Sequence, residues 1–444
     1  MFNVATNIIA FGFVLGVMIF IHELGHYMMA KAFGIGVDVF SLGFGKRLFG
    51  FRHGETDYRV SIVPMGGYVK MRGENPGEEL TGAPDEYLGR PKWQRFLVLV
   101  MGPVMNVALA FALFTTVYAT GVVQAISDND PVVLGWIAPD QPASEAGLLK
   151  GDRIVAIDGE SMPDWETFRV RILISAEQEL SLDLLRDGKR IEVPLTPKAQ
   201  GPSRIGFIGV SGLAPPVVER LTEGGLAAAA DLREADLIVA VDGTPTDHVN
   251  EVNAALIEAD GAEVEMIIER RGSRHAVRFV APRDASGNFP AGFAWGTFET
   301  IRYPIAEAAA RAGSEMWRQT QLVGEIVSRL FTGRMSIRTL SGPVEIGRLS
   351  GAAARTGEPS ILLSFMAFIS LQLGLLNVLP IPLLDGGQIA LLGFEGLTRR
   401  DLSMAVKERI MQVGFILIVT LMAVVLTLDI TKNLPTSWLE YWPF

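Results

Sequence analysis

Four long apolar stretches divide the chain, and each is long enough to cross a bilayer. They cover residues 4–30, 96–119, 361–384 and 410–428. A transmembrane helix needs about 20 predominantly apolar residues. The last stretch contains no charged residue at all. The pattern therefore predicts four transmembrane helices, and the alternative is a set of buried core helices.

The distribution of Lys and Arg orients these spans. Residues 31–95 carry ten Lys and Arg, and the short connection after the third span carries four more, at 399, 400, 407 and 409. Short loops rich in these residues stay in the cytoplasm. Both connections are therefore expected to be cytoplasmic. Both termini and the long insert at 121–360 are then expected to lie outside the cytoplasm, which in a Gram-negative cell means the periplasm.

Between the first two spans the pattern changes from continuous to alternating. Residues 57–63 alternate between polar and apolar, and a second such run at 66–71 follows a Pro-Met turn. This pattern is typical of paired strands. We expect a β-hairpin that lies against the membrane.

The insert contains an internal repeat, in which residues 143–159 recur at 227–243 with a constant offset of 84. The repeated block resembles the PDZ domain, a small β-sandwich capped by helices that takes an extended peptide as an added strand. The second copy departs from the pattern at Asp231 and Ala235, where the first copy has glycine. Both copies are predicted to be PDZ-like domains with possible peptide ligands. The alternative is that they are spacers or filters without a ligand.

These patterns predict a polytopic α-helical membrane protein with four transmembrane helices, two inserted periplasmic PDZ-like β-rich domains and a membrane-associated β-hairpin. The expected boundaries are 1–30 for the first helix, 31–95 for the hairpin region, 96–120 for the second helix, 121–200 and 201–285 for the two PDZ-like domains, 286–360 for an amphipathic periplasmic helical region, 361–387 for the third helix, 388–409 for a cytoplasmic loop, 410–430 for the fourth helix and 431–444 for a periplasmic tail.

Composition limits the chemistry that the chain can perform. A mean hydropathy of +0.30, with 49% hydrophobic and 20% charged residues, suits membrane spans joined to soluble modules. The net charge of −10 over 444 residues argues against a nucleic-acid partner. The chain has no cysteine, so disulfides and thiolate metal sites are both excluded. Any metal site must use histidine and carboxylate.

The candidate chemistry begins with the run His22-Glu23-Leu24-Gly25-His26 near the end of the first span. Histidines four residues apart on a helix share one face, where both can bind Zn²⁺. Glu23 beside them can accept a proton from a water at the metal. The alternative is a polar cluster whose hydrogen bonds are satisfied near a helix end.

Two histidines leave a catalytic zinc site incomplete, because such sites usually have three protein ligands and one open position. Asp385 is the only acid between residues 361 and 394, and an isolated carboxylate in an apolar span is unfavourable unless it is paired or bound to metal. The first and third spans both run from outside to inside, so the three side chains are expected at the same depth. The remaining histidines are expected in loops: His53, His248 and His275.

The prolines and glycines around Asp385 are expected to interrupt the third helix. Unwound backbone within a membrane is tolerated where it lines a water-filled cavity. Asn377, eight residues earlier, could bind substrate backbone or hold a developing oxyanion. The alternatives are a turn cap for Asp385 and a helix–helix hydrogen bond for Asn377.

Taken together, the motifs resemble the site-2 protease family of intramembrane zinc metalloproteases, of the type with tandem periplasmic PDZ domains. They occur in the family's order: HELGH at 22–26, GGYVKM at 66–71, GPVMN at 102–106, LSGPV at 340–344 and NVLPIPLLDGG at 377–387.

The resemblance implies regulated proteolysis of single-pass transmembrane proteins within the lipid bilayer. The substrate would be an anti-sigma factor in envelope stress signalling, already trimmed outside, and remnant signal peptides are another family substrate. The hairpin would present an edge strand to unwound substrate, at Gly66, Gly67, Tyr68 and Val69. Asn377 would contact the same substrate, and the PDZ pair would act as a size filter.

Two other functional classes remain open at this point. One is a non-proteolytic scaffold that uses PDZ domains to hold membrane partners. The other is a zinc transporter or metal sensor, for which several polar residues along the spans would be expected. In this sequence such residues are confined to one depth.

Overall fold

A computed structural model describes residues 2–74, 81–125, 130–201, 204–221, 226–280, 293–295, 298–333 and 342–433. The chain forms two compact units. The helical unit comprises Met1–Val122, Ile301–Thr332 and Ser336–Phe444, and the β-rich unit comprises Val123–Thr300 and Gly333–Met335. Of the predicted features, residues 281–285, 340–341 and the tail from 434 onward lie outside the described residues.

The secondary structure alternates between long helices and short strands. The helices are α1 (Phe2–Ala32), α2 (Lys92–Thr120), α3 (Pro142–Glu145), α4 (Trp165–Leu173), α5 (Leu226–Ala229), α6 (Val249–Ala259), α7 (Ile305–Phe331), α8 (Pro343–Arg355), α9 (Pro359–Val378), α10 (Asp385–Thr398) and α11 (Met404–Asn433). The strands are β1 (Val37–His53), β2 (Thr56–Met71), β3 (Val122–Ala125), β4 (Trp136–Ile137), β5 (Arg153–Ile157), β6 (Glu160–Ser161), β7 (Leu180–Arg186), β8 (Lys189–Leu195), β9 (Lys198–Gln200), β10 (Ile205–Phe207), β11 (Val210–Ser211), β12 (Val218–Leu221), β13 (Leu237–Val241), β14 (Thr244–Pro245), β15 (Glu263–Arg270), β16 (Ser273–Val280), β17 (Phe293–Trp295) and β18 (Phe298–Ile301).

Four helices of the helical unit are long and apolar enough to cross a membrane. They cover Val4–Ala32, Lys92–Thr120, Pro359–Val378 and Ala405–Thr431. The four predicted spans are thus confirmed as long apolar helices. Most of their side chains stay accessible because a lipid environment, unlike water, carries no penalty for exposed apolar surface. The chain is a membrane-embedded protein.

Helix α2 packs against both α1 and α9. Val14 and Met18 of α1 and Met366 of α9 form a buried apolar cluster, and Leu109 of α2 packs against it. The hydroxyl of Ser370 on α9 donates a 2.8 Å hydrogen bond to the backbone oxygen of Asn106 on α2. These contacts place α2 between the other two helices, where it can support side chains from both.

Strands β1 and β2 form an antiparallel pair with an unusual register. Phe40 of β1 lies opposite both Tyr58 and Val69 of β2. The first part of β1 therefore lies between two stretches of β2. The final stretch of β2, from Gly67 to Met71, pairs on one side only with β1 and forms an edge of the sheet.

The third span ends earlier than predicted. Helix α9 stops at Val378, and Asp385 is the first residue of the separate helix α10 rather than part of the third helix. The intervening turn contains Pro380 and Pro382, which lack the backbone N–H that a continuing helix needs. The connection predicted at 388–409 contains most of α10 and the start of α11, which begins at Met404.

The β-rich unit contains two four-stranded sheets with the same strand arrangement. Their orders are β6-β5-β7-β8 and β14-β13-β15-β16. Each sheet has its own apolar core, one around Phe168 and one around Phe279. Two separate cores indicate two structurally related domains within the unit.

The repeat extends to a buried ion pair in each domain. Asp152 accepts hydrogen bonds from Nε and Nη2 of Arg186, both at 2.7 Å, and its carboxylate is almost fully buried. Asp236 and Arg270, each 84 residues further along, repeat this geometry at 2.7 Å. In each domain the bidentate pair links the turn before one strand, β5 or β13, to the end of the neighbouring strand, β7 or β15.

The departures from glycine in the second copy do not change the backbone. Gly147 and Gly151 have φ of 76° and 90°, and their counterparts Asp231 and Ala235 have φ of 59° and 67°. The N–H of Ala235 bonds the carbonyl of Val218 at 2.8 Å, as the N–H of Gly151 bonds its own counterpart carbonyl at 2.7 Å. The second domain therefore keeps the same left-handed turn, although Ala235 adopts this backbone conformation less favourably than glycine does.

Replacing Ala235 with glycine should stabilise the protein. A left-handed backbone at a residue with a Cβ is unfavourable by about 1 kcal/mol, and glycine removes that strain. We expect Ala235→Gly to raise the urea midpoint of the detergent-solubilised protein. The reciprocal Gly151→Ala should lower it. A midpoint for Ala235→Gly at or below that of the wild type would contradict the argument.

Removing Arg186 should destabilise the first domain in a pH-dependent way. Burial raises the pKa of the Asp152 carboxyl, but hydrogen bonds from Arg186 and the Leu149 N–H outweigh burial and hold its pKa below the ordinary value. A lowered folded-state pKa stabilises the fold above the unfolded pKa, and that contribution is lost as pH falls through the lowered value. We expect Arg186→Leu to cost about 3 kcal/mol at pH 7, because it leaves a buried carboxylate unpaired.

The measurement is urea unfolding followed by tryptophan fluorescence at several pH values. The difference in free energy of unfolding between Arg186→Leu and the wild type should become smaller below about pH 4, where Asp152 of the unfolded chain becomes protonated. The matched control is Arg190→Leu, because Arg190 pairs with Asp183 at 2.8 Å but is 66% exposed. Exposed pairs contribute little. A penalty that is equal at pH 3 and pH 7 would rule out the ionic explanation.

Candidate metal centre

The first two candidate ligands lie on one face of α1. His22 and His26 are four residues apart in an uninterrupted helix, so their rings share one face. Their Nε2 atoms are 3.2 Å apart. Both residues are 8% exposed, so neither imidazole is surrounded by water.

Asp385 brings a carboxylate to the same point from the other end of the chain. Its Oδ2 lies 3.1 Å from Nε2 of His22, and its Oδ1 lies 3.5 Å from Nε2 of His26. One ligand atom from each of the three side chains falls within 4.8 Å of the others. The sequence placed these residues together by expected depth, and the structure brings them into one cluster.

The donor set suits a metal ion with nitrogen and oxygen ligands. Asp385 Oδ2 is buried and meets no hydrogen-bond donor among the described residues apart from its 3.1 Å contact with Nε2 of His22, although a carboxylate oxygen can accept two hydrogen bonds. Two imidazoles and one carboxylate form a three-ligand set of the kind that Zn²⁺ accepts in catalytic sites. The cluster could therefore hold a metal.

Helix α2 forms the wall behind the two imidazoles. A Cβ at Gly102 would collide with the ring of His26 and would lie 2.9 Å from Cε1 of His22. Val98, one turn earlier on α2, accepts a 2.8 Å hydrogen bond at its backbone oxygen from Nδ1 of His26. A proton held on Nδ1 leaves the Nε2 lone pair free for a metal.

The turn before α10 aims Asp385 at the histidines. Gly386 and Gly387 follow it, and a Cβ on either would collide with backbone carbonyls of residues 378–381. Leu383 has φ of 81°, which is a strained backbone conformation for a residue with a branched side chain. The N-cap of α10 is Leu384, and the Asp385 carboxylate faces His22 and His26, so a capping role does not account for its position.

A cavity of about 240 Å³ opens onto the cluster. Besides the three candidate ligands it is lined by Glu23, Tyr68, Val69, Asn377 and others. The amide nitrogen of Asn377 lies 3.4 Å from Nε2 of His22. The cavity therefore brings open space, the candidate ligands, the Glu23 carboxylate and the Asn377 amide to one point.

The edge stretch of β2 passes directly beside the candidate base. A Cβ on Gly67 would lie 2.7 Å from Cγ2 of Ile19 and 2.9 Å from the backbone oxygen of Ser41, and 3.2 Å from Cγ of Glu23, so only glycine fits without a shift. Gly66 does not line the cavity, and a Cβ on it would collide with the ring of Phe44 instead. The four residues predicted at this edge thus divide into three near the cluster and one directed elsewhere.

Some features of the site were missed from the sequence, and some histidines were misplaced. Gly102 was noted only as part of a motif, and nothing local revealed its contact with the imidazoles. The loop expectation was wrong for His53 and His275, which lie in β1 and β16. His248 is the N-cap of α6, where its Nδ1 accepts a hydrogen bond from the N–H of Asn250. None of these three belongs to the group of candidate ligands.

Comparisons with known proteins agree with this geometry. The model of peptidase family M50 matches residues 10–421. "Regulator of sigma-E protease RseP" of Salmonella typhimurium is 30% identical over 460 residues, which cover 97% of this chain and 100% of that protein. The Escherichia coli protein of the same name is 30% identical over 449 residues, covering 94% and 97% of the two chains.

Two further matches are more distant or partial. A Rhizobium meliloti protein whose name describes it as a candidate zinc metalloprotease is 28% identical over 94% of this chain and 95% of its own. Among solved structures, the PDZ domain of an SdrC-like protein from Listeria monocytogenes is 18% identical, with a TM-score of 0.17 over 20% of this chain and 94% of its own. A likeness this weak establishes nothing about the β-rich unit.

The match to family M50 extends over nearly the whole chain, from α1 to α11, and includes every residue of the His22, His26 and Asp385 cluster. A match to a peptidase family over nearly the whole chain favours an enzyme over the non-proteolytic scaffold and over the zinc transporter or metal sensor. The chain belongs to peptidase family M50, the site-2 protease family, and is a zinc metalloprotease of that type.

Proposed function

We propose that this chain cuts the membrane-spanning segments of single-pass proteins, with Zn²⁺ as its cofactor. The observation that carries the proposal is the convergence of His22, His26 and Asp385 beside Glu23 in one cavity of a unit built from apolar helices. A protease whose reacting groups lie among such helices is suited to substrate that is itself within the bilayer.

The zinc would be held by His22, His26 and Asp385. These three protein ligands match the number that catalytic zinc sites use. When bound, zinc activates water as a nucleophile and polarises the scissile carbonyl. The wall at Gly102 and the hydrogen bond from His26 to Val98 hold the imidazoles with their Nε2 atoms turned towards Asp385.

Glu23 would transfer the proton. It lines the same cavity and follows His22 directly in α1, so its carboxylate can reach a water beside the ligands. Hydrolysis requires a base that accepts a proton from the attacking water and returns it to the leaving amine. Asn377, with its amide nitrogen 3.4 Å from His22, would donate a hydrogen bond to the developing oxyanion or to the substrate backbone.

The edge of β2 would hold the substrate. A transmembrane helix must unwind locally before its peptide bond can be reached, and an unwound backbone needs hydrogen-bond partners inside a membrane. The stretch that includes Tyr68 and Val69 lies at a sheet edge and lines the cavity. Substrate could add there as a further strand. Gly66 would act indirectly. Because it has no side chain, β2 can pass close to the ring of Phe44 at this position.

The β-rich unit would select substrates from the periplasmic side. Its two domains, within the predicted ranges 121–200 and 201–285, would be PDZ-like and would exclude proteins that keep a bulky external domain. The Lys and Arg pattern supports cytoplasmic placement of the hairpin region and periplasmic placement of both termini. The host membrane would be a bacterial inner membrane.

The substrate would be an anti-sigma factor in envelope stress signalling. Relatives that align over nearly their whole length carry names describing regulators of sigma-E protease, which supports this substrate class. Remnant signal peptides would be a second class, because they too are single apolar helices.

Replacing Glu23 with glutamine should abolish cleavage without loss of metal. The amide keeps the shape of the side chain but cannot accept the proton, and such bases contribute about 100-fold or more to rate. We expect co-expressed, tagged single-span proteins to be cut by the wild type and to accumulate uncut with Glu23→Gln. Zinc content of the purified variant should equal that of the wild type. Equal processing of every candidate substrate by both forms would end the protease proposal for this site.

Adding a single methyl group at Gly102 should disrupt the metal site. The methyl of Gly102→Ala would meet both imidazoles, so His22 and His26 must shift and zinc affinity should fall. Gly16→Ala in α1 is the matched control, because a Cβ there meets no described atom within 4 Å. Chelator competition on the purified proteins measures the difference. Tight zinc binding by Gly102→Ala, equal to that of Gly16→Ala, would show that this contact does not position the ligands.

A further inference from the structure

We propose that Asn106 is a positioning residue that sets which ring nitrogen of His22 carries the proton, and thereby makes His22 a competent metal ligand. The inference rests on the proposed zinc function and concerns a side chain outside the ligand set. Asn106 lies on α2, is fully buried, and touches His22 directly.

The contact involves Nδ1 of His22, which the amide nitrogen of Asn377 also approaches, at 3.5 Å. A side-chain amide atom of Asn106 lies 3.2 Å from Nδ1 of His22. The opposite ring nitrogen, Nε2, faces Asp385 at 3.1 Å and His26 at 3.2 Å. If His22 binds metal, Nε2 is therefore the ligand atom. A neutral imidazole that ligates through Nε2 carries its proton on Nδ1.

The two orientations of the Asn106 amide have opposite effects on His22. With the amide nitrogen towards Nδ1, as placed in the structure, Nδ1 must accept the hydrogen bond and the proton moves to Nε2, where it blocks ligation. With the oxygen towards Nδ1, the ring donates from Nδ1 and the Nε2 lone pair is free. The two amide orientations have nearly the same shape, so hydrogen bonding decides between them.

The unused amide atom favours the second orientation for a metal-binding site. Oδ1 of Asn106 is buried and has no hydrogen-bond partner among the described residues, whereas Nδ1–H of a ligating His22 needs an acceptor. A half-turn of the amide brings Oδ1 to that proton. Metal-ligating histidines almost always donate their other ring N–H to an acceptor of this kind.

His26 already shows the same arrangement on the same helix. Its Nδ1 lies 2.8 Å from the backbone oxygen of Val98, which can only accept. Val98, Gly102 and Asn106 are spaced by four residues and so share one face of α2. One face of α2 therefore supplies an acceptor for each imidazole, on either side of the glycine that admits both rings.

The position of Asn106 is held independently of His22. Its backbone oxygen accepts the 2.8 Å hydrogen bond from Ser370 of α9. A Cβ on Gly374 of α9 would lie 3.4 Å from the Cβ of Asn106, so α9 packs closely here. The competing explanation is that Asn106 serves only this helix–helix packing. The two explanations differ in what they predict for variants that keep the size of the side chain.

The test compares Asn106→Leu, Asn106→Asp and Ser370→Ala in the full-length, detergent-purified protein. Leucine keeps the volume but removes the acceptor, and we expect zinc affinity, measured by chelator competition, to fall about 10- to 100-fold. Aspartate can accept but not donate, so its zinc affinity should equal or exceed that of the wild type. Ser370→Ala removes the helix–helix hydrogen bond while leaving the acceptor, and its affinity should be unchanged.

Nitrogen-15 NMR of the histidine rings in the zinc-loaded wild type gives a second readout that needs no variant. We expect the proton of His22 on Nδ1, slowly exchanging and bonded to oxygen. An unprotonated Nδ1, or wild-type affinity in Asn106→Leu, would overturn the proposal, as would equal losses in the aspartate and leucine variants. A wild-type protein that binds no zinc would instead refute the proposed cofactor, which is a separate result.

Discussion

The close approach of α1 to α2 is the constraint on which the rest of the site depends. A Cβ on Gly25 of α1 would collide with the backbone of Met101, and a Cβ on Gly102 of α2 would collide with the imidazole rings. Small residues on both helices let the backbones come close enough for α2 to support the rings of α1. Without that approach, two long histidine side chains on an apolar helix would have no fixed orientation.

The segment that carries Asp385, the third candidate ligand, is positioned by a break between two helices. If the third helix continued, Asp385 would lie on a helix face and the backbone hydrogen bonds would be made within the helix. Instead, α9 ends at Val378, and after a turn α10 begins at Asp385. Unwinding inside a membrane is unfavourable unless the freed backbone is enclosed by protein. Gly386 and Gly387 permit that enclosure, since they pack against the carbonyls of the turn. The strain at Leu383 is part of the same device.

The β-rich unit shows how far backbone shape can persist when local sequence preference changes. Asp231 and Ala235 replace glycines of the first copy yet keep positive φ, because the hydrogen bonds and the buried pair of Asp236 with Arg270 require the same turn. From the sequence, these departures made the second copy a weaker match to the repeated pattern than the first. The tertiary contacts override that preference, at a small local cost in free energy.

The sequence by itself determined the four apolar helices, because continuous hydrophobicity is a local property, and it determined that His22 and His26 share a face, because helical spacing is fixed. It also predicted Asp385 as the third candidate ligand, because the chain has no cysteine and residues 361–394 contain no other acid. Only the tertiary structure decided the register of β1 against β2, the separate start of α10, and the contacts of Gly102 and Asn106 with the imidazoles. Those features depend on which distant segments touch, and a pattern of neighbouring residues along the chain does not record such contacts.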